Sequence, residues 1–257
     1  MPTLRAMNPT LNAADGLTLH LREWPRPDAR GTVLIVHGLG EHVGRHAHVA
    51  AQLNAWGWNV VGYDQRGHGA SEGARGALAR SDDLVRDLAW VVDAVRDAHP
   101  GPLVLSSPAL DAGMNAFQKL LLAVLGPLAP NLAVGNGLNP AWISRDPAVV
   151  TAYQADPLVH DRVTPRLARF IVDAGEFVRA RAAQWSVPTL LLYAGSDRCV
   201  APAGSAALAA AAPRAVLTAR EFAPLFHEIF NEPEQREVFA VLGEWLGRAG
   251  LSSGRGS

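Results

Sequence analysis

Residues Thr32–Val36 (TVLIV) form a β-branched run of the length of a buried strand, and the run stops at His37-Gly38-Leu39-Gly40. Asn59–Tyr63 (NVVGY), residues 103–107 (LVLSS) and residues 189–193 (TLLLY) have the same character, and residues 215–218 predict a shorter strand. Residues 17–24 (LTLHLREW) instead alternate apolar and polar positions, which predicts a half-buried antiparallel edge strand ended by Pro25 and Pro27. Between these runs the apolar period changes to that of a helix. Val49, Leu53 and Trp56 mark one over residues 45–56. Leu84, Leu88, Val91, Val92 and Val95 mark a second, capped by Ser81 and ending near His99-Pro100-Gly101. An alanine-rich helix over 204–212 and a last helix over 233–246 complete the set. Strand and helix in turn predict an α/β chain whose mostly parallel sheet carries helices on both faces.

The alternation breaks once. After the strand at 103–107 and Pro108, a helical, apolar, proline-punctuated stretch runs from about residue 111 to 185. Phe117, Leu120, Leu121, Val124 and Leu125 form one apolar stripe in it, and Leu167, Phe170, Ile171, Phe177 and Val178 another. Helices inserted between strands commonly lie over the functional edge of a sheet, so this stretch is a candidate lid; periodicity alone is equally compatible with two extra core helices.

Composition narrows the partners more than the fold. With 49% hydrophobic and 18% charged residues in 257, a folded core is expected through most of the length. A formal net charge of −1 points to neither nucleic acid nor an anionic membrane. Cys199 is the single cysteine, so no intrachain disulfide can form. The first sixteen residues lack the apolar core of a secretory signal and no run reaches membrane-spanning length, so a cytoplasmic location is expected. The tail from Gly247, ending LSSGRGS, is expected to fray, with 251–257 disordered.

In open α/β sheets ligands lie beyond the carboxyl ends of the strands, where His37, Asp64, Asp197 and His227 all fall. The glycines after Val36 either make a tight turn or also aim backbone N–H groups at an oxyanion. Asp197 can be a helix N-cap or the carboxylate that orients an imidazole; His227 can be a loop histidine or that imidazole. His42, His46 and His48 are close in sequence, but no carboxylate or cysteine at matching spacing accompanies them, so no metal site is assigned. His68, between two glycines, is expected in a buried loop network, and Cys199 in the core.

Four segments carry a family resemblance: His37-Gly38-Leu39-Gly40-Glu41-His42 with Gly44-Arg45; the stretch from Asp64-Gln65-Arg66-Gly67-His68-Gly69 to Ala70-Ser71-Glu72-Gly73; Gly195-Ser196-Asp197-Arg198; and Phe226-His227-Glu228. Together they resemble an α/β-hydrolase of the monoacylglycerol lipase and lysophospholipase group, over nearly the whole chain. The resemblance implies a hydrolase core at 1–107 and 186–250 with a helical cap at 108–185. It implies Asp197 as triad acid, His227 as general base and the Leu39 N–H as one oxyanion donor, with no cofactor and no metal. The small-molecule partner it implies is a lipid ester, with transient contact between the cap and a lipid surface.

The nucleophile is the departure. The family places a Gly-x-Ser-x-Gly elbow after the strand that here reads Leu103-Val104-Leu105-Ser106-Ser107-Pro108, and none follows. The text after that strand resembles the family's next strand end, as if a βα unit of roughly thirty residues were absent and the sheet one strand short. The Gly69-Ala70-Ser71-Glu72-Gly73 match opens no helix from a strand end, so it is expected to be a coincidence. Ser107 precedes Pro108, which has no N–H to give an oxyanion, and Ser106 lacks flanking glycines. No nucleophile is assigned. Three outcomes stay open: a serine-type hydrolase of monoacylglycerol-like or lysophospholipid-like esters, a catalytically silent relative that binds lipid or a partner, and a deletion variant with exposed strand edges.

Overall fold

The computed structural model describes residues 9–95 and 102–252. In chain order its elements are β1 (Thr10–Asn12), β2 (Thr18–Trp24), β3 (Thr32–Val36), α1 (Ala47–Ala55), β4 (Asn59–Tyr63), α2 (Asp83–Val95), β5 (Leu103–Ser106), α3 (Ala116–Leu128), β6 (Val134–Gly135), α4 (Pro147–Ala155), β7 (Arg162–Val163), α5 (Pro165–Ala180), β8 (Thr189–Ala194), α6 (Pro202–Ala211), β9 (Leu217–Phe222) and α7 (Gln235–Ser252). They group into two compact units. One comprises Met1–Pro100, Leu125–Asn136 and Asp156–Leu167; the other Gly101–Val124, Gly137–Ala155 and Ala168–Ser257.

The first unit holds a four-stranded sheet in the order β1-β2-β4-β3. β3 runs parallel to β4, with Val33 opposite Val60 and Val36 opposite Tyr63. All five residues of β4 are buried, as expected of a strand with partners on both sides. β2 is antiparallel to β4, but it is not the edge strand its alternation predicts. The three-residue β1, too short to show a period, pairs with its other side. A 3-10 turn at Val43–His46 leads into α1, whose buried face is Val49, Ala50 and Leu53.

α2 corrects the sequence reading more sharply. It starts at Asp83 and not under a Ser81 cap; the Asp83 carboxylate accepts from the Arg80 N–H at 2.7 Å. Its buried face is Asp83, Asp87 and Val91, while Val85, Leu88 and Trp90 face outward. Of the predicted stripe only Leu88 is exposed, and Arg66 explains why two aspartates share the buried face with Val91. Its guanidinium grips Asp87 through two hydrogen bonds of 2.6 and 2.7 Å and reaches Asp83 at 3.1 Å and Asp15 at 2.9 Å. The predicted end of α2 near residues 99–101 lies outside the described residues.

The second unit holds a three-stranded parallel sheet, β5-β8-β9. β8 is buried at all six positions. Leu191 and Tyr193 point from it into a cluster with Leu110, Ala182, Leu208, Ala212 and Leu217. The strand predicted at 215–218 begins instead at Leu217, because a turn in which the Val216 N–H donates to the Pro213 carbonyl takes up the preceding residues. The last helix continues to Ser252, past the Gly247 where fraying is predicted; 253–257 lie outside the described residues.

Of the two apolar stripes in the candidate lid, that of α3 is not core. Phe117 is 71% exposed and Leu128 77%, with Leu120, Leu121 and Val124 also exposed and Leu122 alone buried. Among the described residues no helix is long and apolar enough to cross a membrane.

Candidate active site

The second unit brings Asp197 and His227 together. β8 ends at Ala194 and enters a turn through Gly195, where a Cβ would sit 2.7 Å from the Ala223 Cα, so only glycine lets the turn pass the residues after β9. Three further bonds tie these two strand ends together. The Gly195 N–H donates to Phe222 O at 3.0 Å, the Ser196 N–H to Leu225 O at 3.2 Å, and the Ser196 hydroxyl to Ala223 O at 2.8 Å. Asp197 then accepts the Cys199 and Val200 N–H groups on Oδ1, at 2.8 and 3.1 Å, and faces His227 Nδ1 with Oδ2 at 2.8 Å. A carboxylate oxygen only accepts, so Nδ1 carries the ring proton and Nε2 is the basic nitrogen. Asp197 caps this turn rather than α6, whose N-cap is Ala201 without a side-chain bond.

The loop that carries His227 is fixed on both sides. Glu232, fully buried, accepts the Phe226 N–H at 3.2 Å, and Arg145 closes over it with its Nε at 2.5 Å. On the other side the Glu228 N–H donates to Ile143 O at 2.8 Å. Sequence reasoning missed Glu232: a carboxylate five residues after a histidine follows no period, and only its burial reveals the role. Cys199, two residues after Asp197 and expected in the core, is instead only partly buried beside the pair. Burial, with the nearby Asp197 and Glu228 charges, pushes the Cys199 thiol up to about 12, so it is no thiolate nucleophile at neutral pH.

The first unit holds the other strand-end residues. His37 is buried, donates through Nδ1 to Gly38 O at 2.7 Å and accepts the Gln65 N–H on Nε2 at 2.9 Å. Burial holds its pKa below the usual histidine range. The Gly38 N–H is taken by Glu41 at 2.7 Å, and Gly40 has a positive φ of 79° that carries the chain out of the turn. Among the described residues no protein acceptor takes the Leu39 N–H. Asp64 uses both oxygens structurally, accepting from Val43 N at 2.8 Å and Ala70 N at 2.9 Å.

His68 does belong to a buried network. Its ring lies 5.4 Å from that of His37 and 4.7 Å from that of His160, and burial, with His37 beside it, lowers it to about 3. Carboxylates do face these histidines, though not at metal-ligand spacing: Asp156, distant in sequence, lies 2.9 Å from His42, and the neighbouring Glu41 lies 3.1 Å from His46. Burial alone would raise Glu41, but His46, His37 and Arg45 together hold it well below the usual carboxylate range.

The serines give no such convergence. Ser71 is buried, its hydroxyl donating to Asp64 O at 2.5 Å and accepting the His20 N–H at 2.7 Å, so the Gly-x-Ser-x-Gly match is a structural turn. Ser107 has a φ of 40°, a strained backbone for a residue with a Cβ, and a buried hydroxyl without a partner. Ser106 ends β5 and is exposed.

The family model described as Serine aminopeptidase, S33 (Hydrolase_4) matches residues 27–103 and 102–234, in two pieces that meet at the start of β5. The chain is 34% identical to the monoacylglycerol lipase of Mycolicibacterium smegmatis over 252 positions, covering 86% of this chain and 90% of that one. It is 26% identical to phospholipase YtpA of Bacillus subtilis over 245 positions, covering 84% and 95%. In each alignment about thirty positions are matched by no residue of this chain. Among solved structures, the monoacylglycerol lipase of Paleococcus ferrophilus superimposes with a TM-score of 0.81 at 32% identity, covering 89% of this chain and 98% of that one.

Proposed function

Because the chain belongs to the α/β-hydrolases of the monoacylglycerol lipase group, a family of serine ester hydrolases, we propose that its ligands are monoacylglycerol-like or lysophospholipid-like esters. In this reading Asp197 is the acid and His227 the general base of ester hydrolysis, with the Leu39 N–H as one oxyanion donor. The observation that carries it is the 2.8 Å contact between Asp197 and His227, in the chain order acid then histidine that this fold uses. With Nδ1 bound to the carboxylate, the ring holds the tautomer that takes a proton from an attacking hydroxyl on Nε2. Residues 108–185 are the cap, and the open apolar stripe of α3 suits an acyl chain or a lipid surface.

A second reading has its own support: the chain binds such an ester without turning it over. The two-piece family match, the roughly thirty unmatched alignment positions and the outer edges of β3 and β5, which pair with no other described strand, all fit the absence of one strand, its serine elbow and its helix.

A fluorophosphonate probe followed by intact mass measurement separates the two. An adduct on the wild-type chain, lost in His227→Ala, together with release of fatty acid from monoacylglycerol, establishes the hydrolase. No adduct, alongside a cooperative thermal transition that monoacylglycerol raises, establishes the silent binder. A cooperative transition that monoacylglycerol leaves unmoved, without adduct, refutes both.

A further inference from the structure

Cys199 has a use that ester chemistry does not give it. One ligand atom each from Asp197, Cys199 and His227 lies within 4.8 Å of the others. A carboxylate oxygen, a thiol sulfur and an imidazole nitrogen are three of the donor types that zinc takes, at bond lengths of about 2.0 to 2.3 Å. Side-chain adjustments of about 1 Å bring such a spread onto three corners of a tetrahedron and leave the fourth to water. The surroundings favour a cation as well. Asp197 is almost wholly buried, and Glu228 adds a second negative charge close enough to act on the Cys199 thiol.

We propose that Asp197, Cys199 and His227 form a binding site for Zn2+ and similar thiophilic divalent cations. Binding replaces the hydrogen bond between His227 Nδ1 and Asp197 Oδ2 with two metal bonds: the Nδ1 proton passes through solvent to Nε2, and the Cys199 S–H gives its proton to solvent as the S–metal bond forms. Because a proton is released, the cation binds more tightly as pH rises. Binding itself does not depend on the acid and base roles proposed above. Its consequence does: an imidazole held on a metal through Nδ1 no longer has the Asp197 carboxylate to orient it, so the cation inhibits any turnover the chain has.

Cobalt(II) is the spectroscopic probe. Cys199 is the single cysteine of the chain, so a thiolate-to-cobalt charge-transfer band can arise nowhere else. The wild-type protein is expected to show this band at one equivalent, to lose it on addition of Zn2+, and to hold one Zn2+ by native mass measurement. Cys199→Ser abolishes the band and weakens Zn2+ binding at least tenfold, and His227→Ala weakens it similarly. Absence of the band in folded wild-type protein overturns the proposal. So does Zn2+ binding that Cys199→Ser leaves unchanged, which assigns the metal to surface histidines. Failure of the fluorophosphonate experiment leaves these measurements untouched, so the two readings fall separately.

Discussion

β3 and β4 are parallel neighbours of equal length, Thr-Val-Leu-Ile-Val against Asn-Val-Val-Gly-Tyr, and the more apolar of the two is the less buried. Every residue of β4 is buried, whereas β3 is only half-buried and its Val36 is 43% exposed. β8 and β5 repeat the contrast in the second unit, with six buried positions against none. Parallel strands rich in Val, Ile and Leu ordinarily lie in a sheet's interior with cover on both sides. Strands with interior sequences and edge burial therefore mark where the sheet's composition and its present neighbours disagree. α2, which packs beside β3, shows the same disagreement: Val85 and Trp90 point outward while two aspartates are buried.

The largest expected effect lies on the buried side of this comparison. Leu191, fully buried at the centre of β8, touches the cluster built around Leu208 and Tyr193. Leu191→Ala is expected to cost about 3 kcal/mol, from lost burial plus the cavity left behind, read as a fall in the urea midpoint. Leu105→Ala on β5, only partly buried, is expected to cost less than half of that. Equal losses would mean that β5 is covered in solution and would remove the contrast.

An intermediate effect comes from the residues that follow β3 and β4, where the first unit is sealed although its edge is open. His68 is held neutral, lowered by burial to about 3, and burial lowers His37 and His160 too. The unfolded chain takes up these protons below about pH 6.5 and the folded chain does not, so stability is full above that pH and declines as pH falls towards 3. The slope for each histidine is at most about 1.4 kcal/mol per pH unit. Urea unfolding at a series of pH values should show this decline, and His68→Phe should make it shallower. An unchanged slope in that variant would show that His68 titrates normally in the fold.

Much of this arrangement was legible in the sequence, for identifiable reasons. β3, β4 and β8 are short β-branched or leucine-rich runs bounded by turn residues, and that pattern needs no tertiary information. Asp197 and His227 stood out because both follow strands in the order a relay needs. β9 was misplaced because Leu217–Phe222 is buried only at its two ends, with Thr218, Ala219, Arg220 and Glu221 exposed between them, so its apolar density is low. On α2 the predicted stripe does face inward at Val91 and partly at Leu84, Val92 and Val95; what it did not show is that Asp83 and Asp87 share that face, because their partner Arg66 lies seventeen residues before the helix. Glu232 depends on contacts with Arg145, a distant segment, which no local pattern records.

The smallest expected effect is the one that tests the comparison most directly. Val36 closes β3 opposite the buried Tyr63 of β4, and with 43% of its surface already in water it has little burial to lose. Val36→Ala should change stability by no more than about 0.5 kcal/mol, against about 2 kcal/mol for Val61→Ala on β4, where the side chain is 1% exposed. Val36→Lys should also fold, because an edge strand with a lysine stays wet and resists pairing with other chains. Both variants are best measured at two protein concentrations tenfold apart. A cost for Val36→Ala that matches Val61→Ala and grows with concentration would mean that a second copy of the chain covers β3. A matching cost that is independent of concentration would mean that the strand is interior within one chain, and the contrast between β3 and β4 would fall.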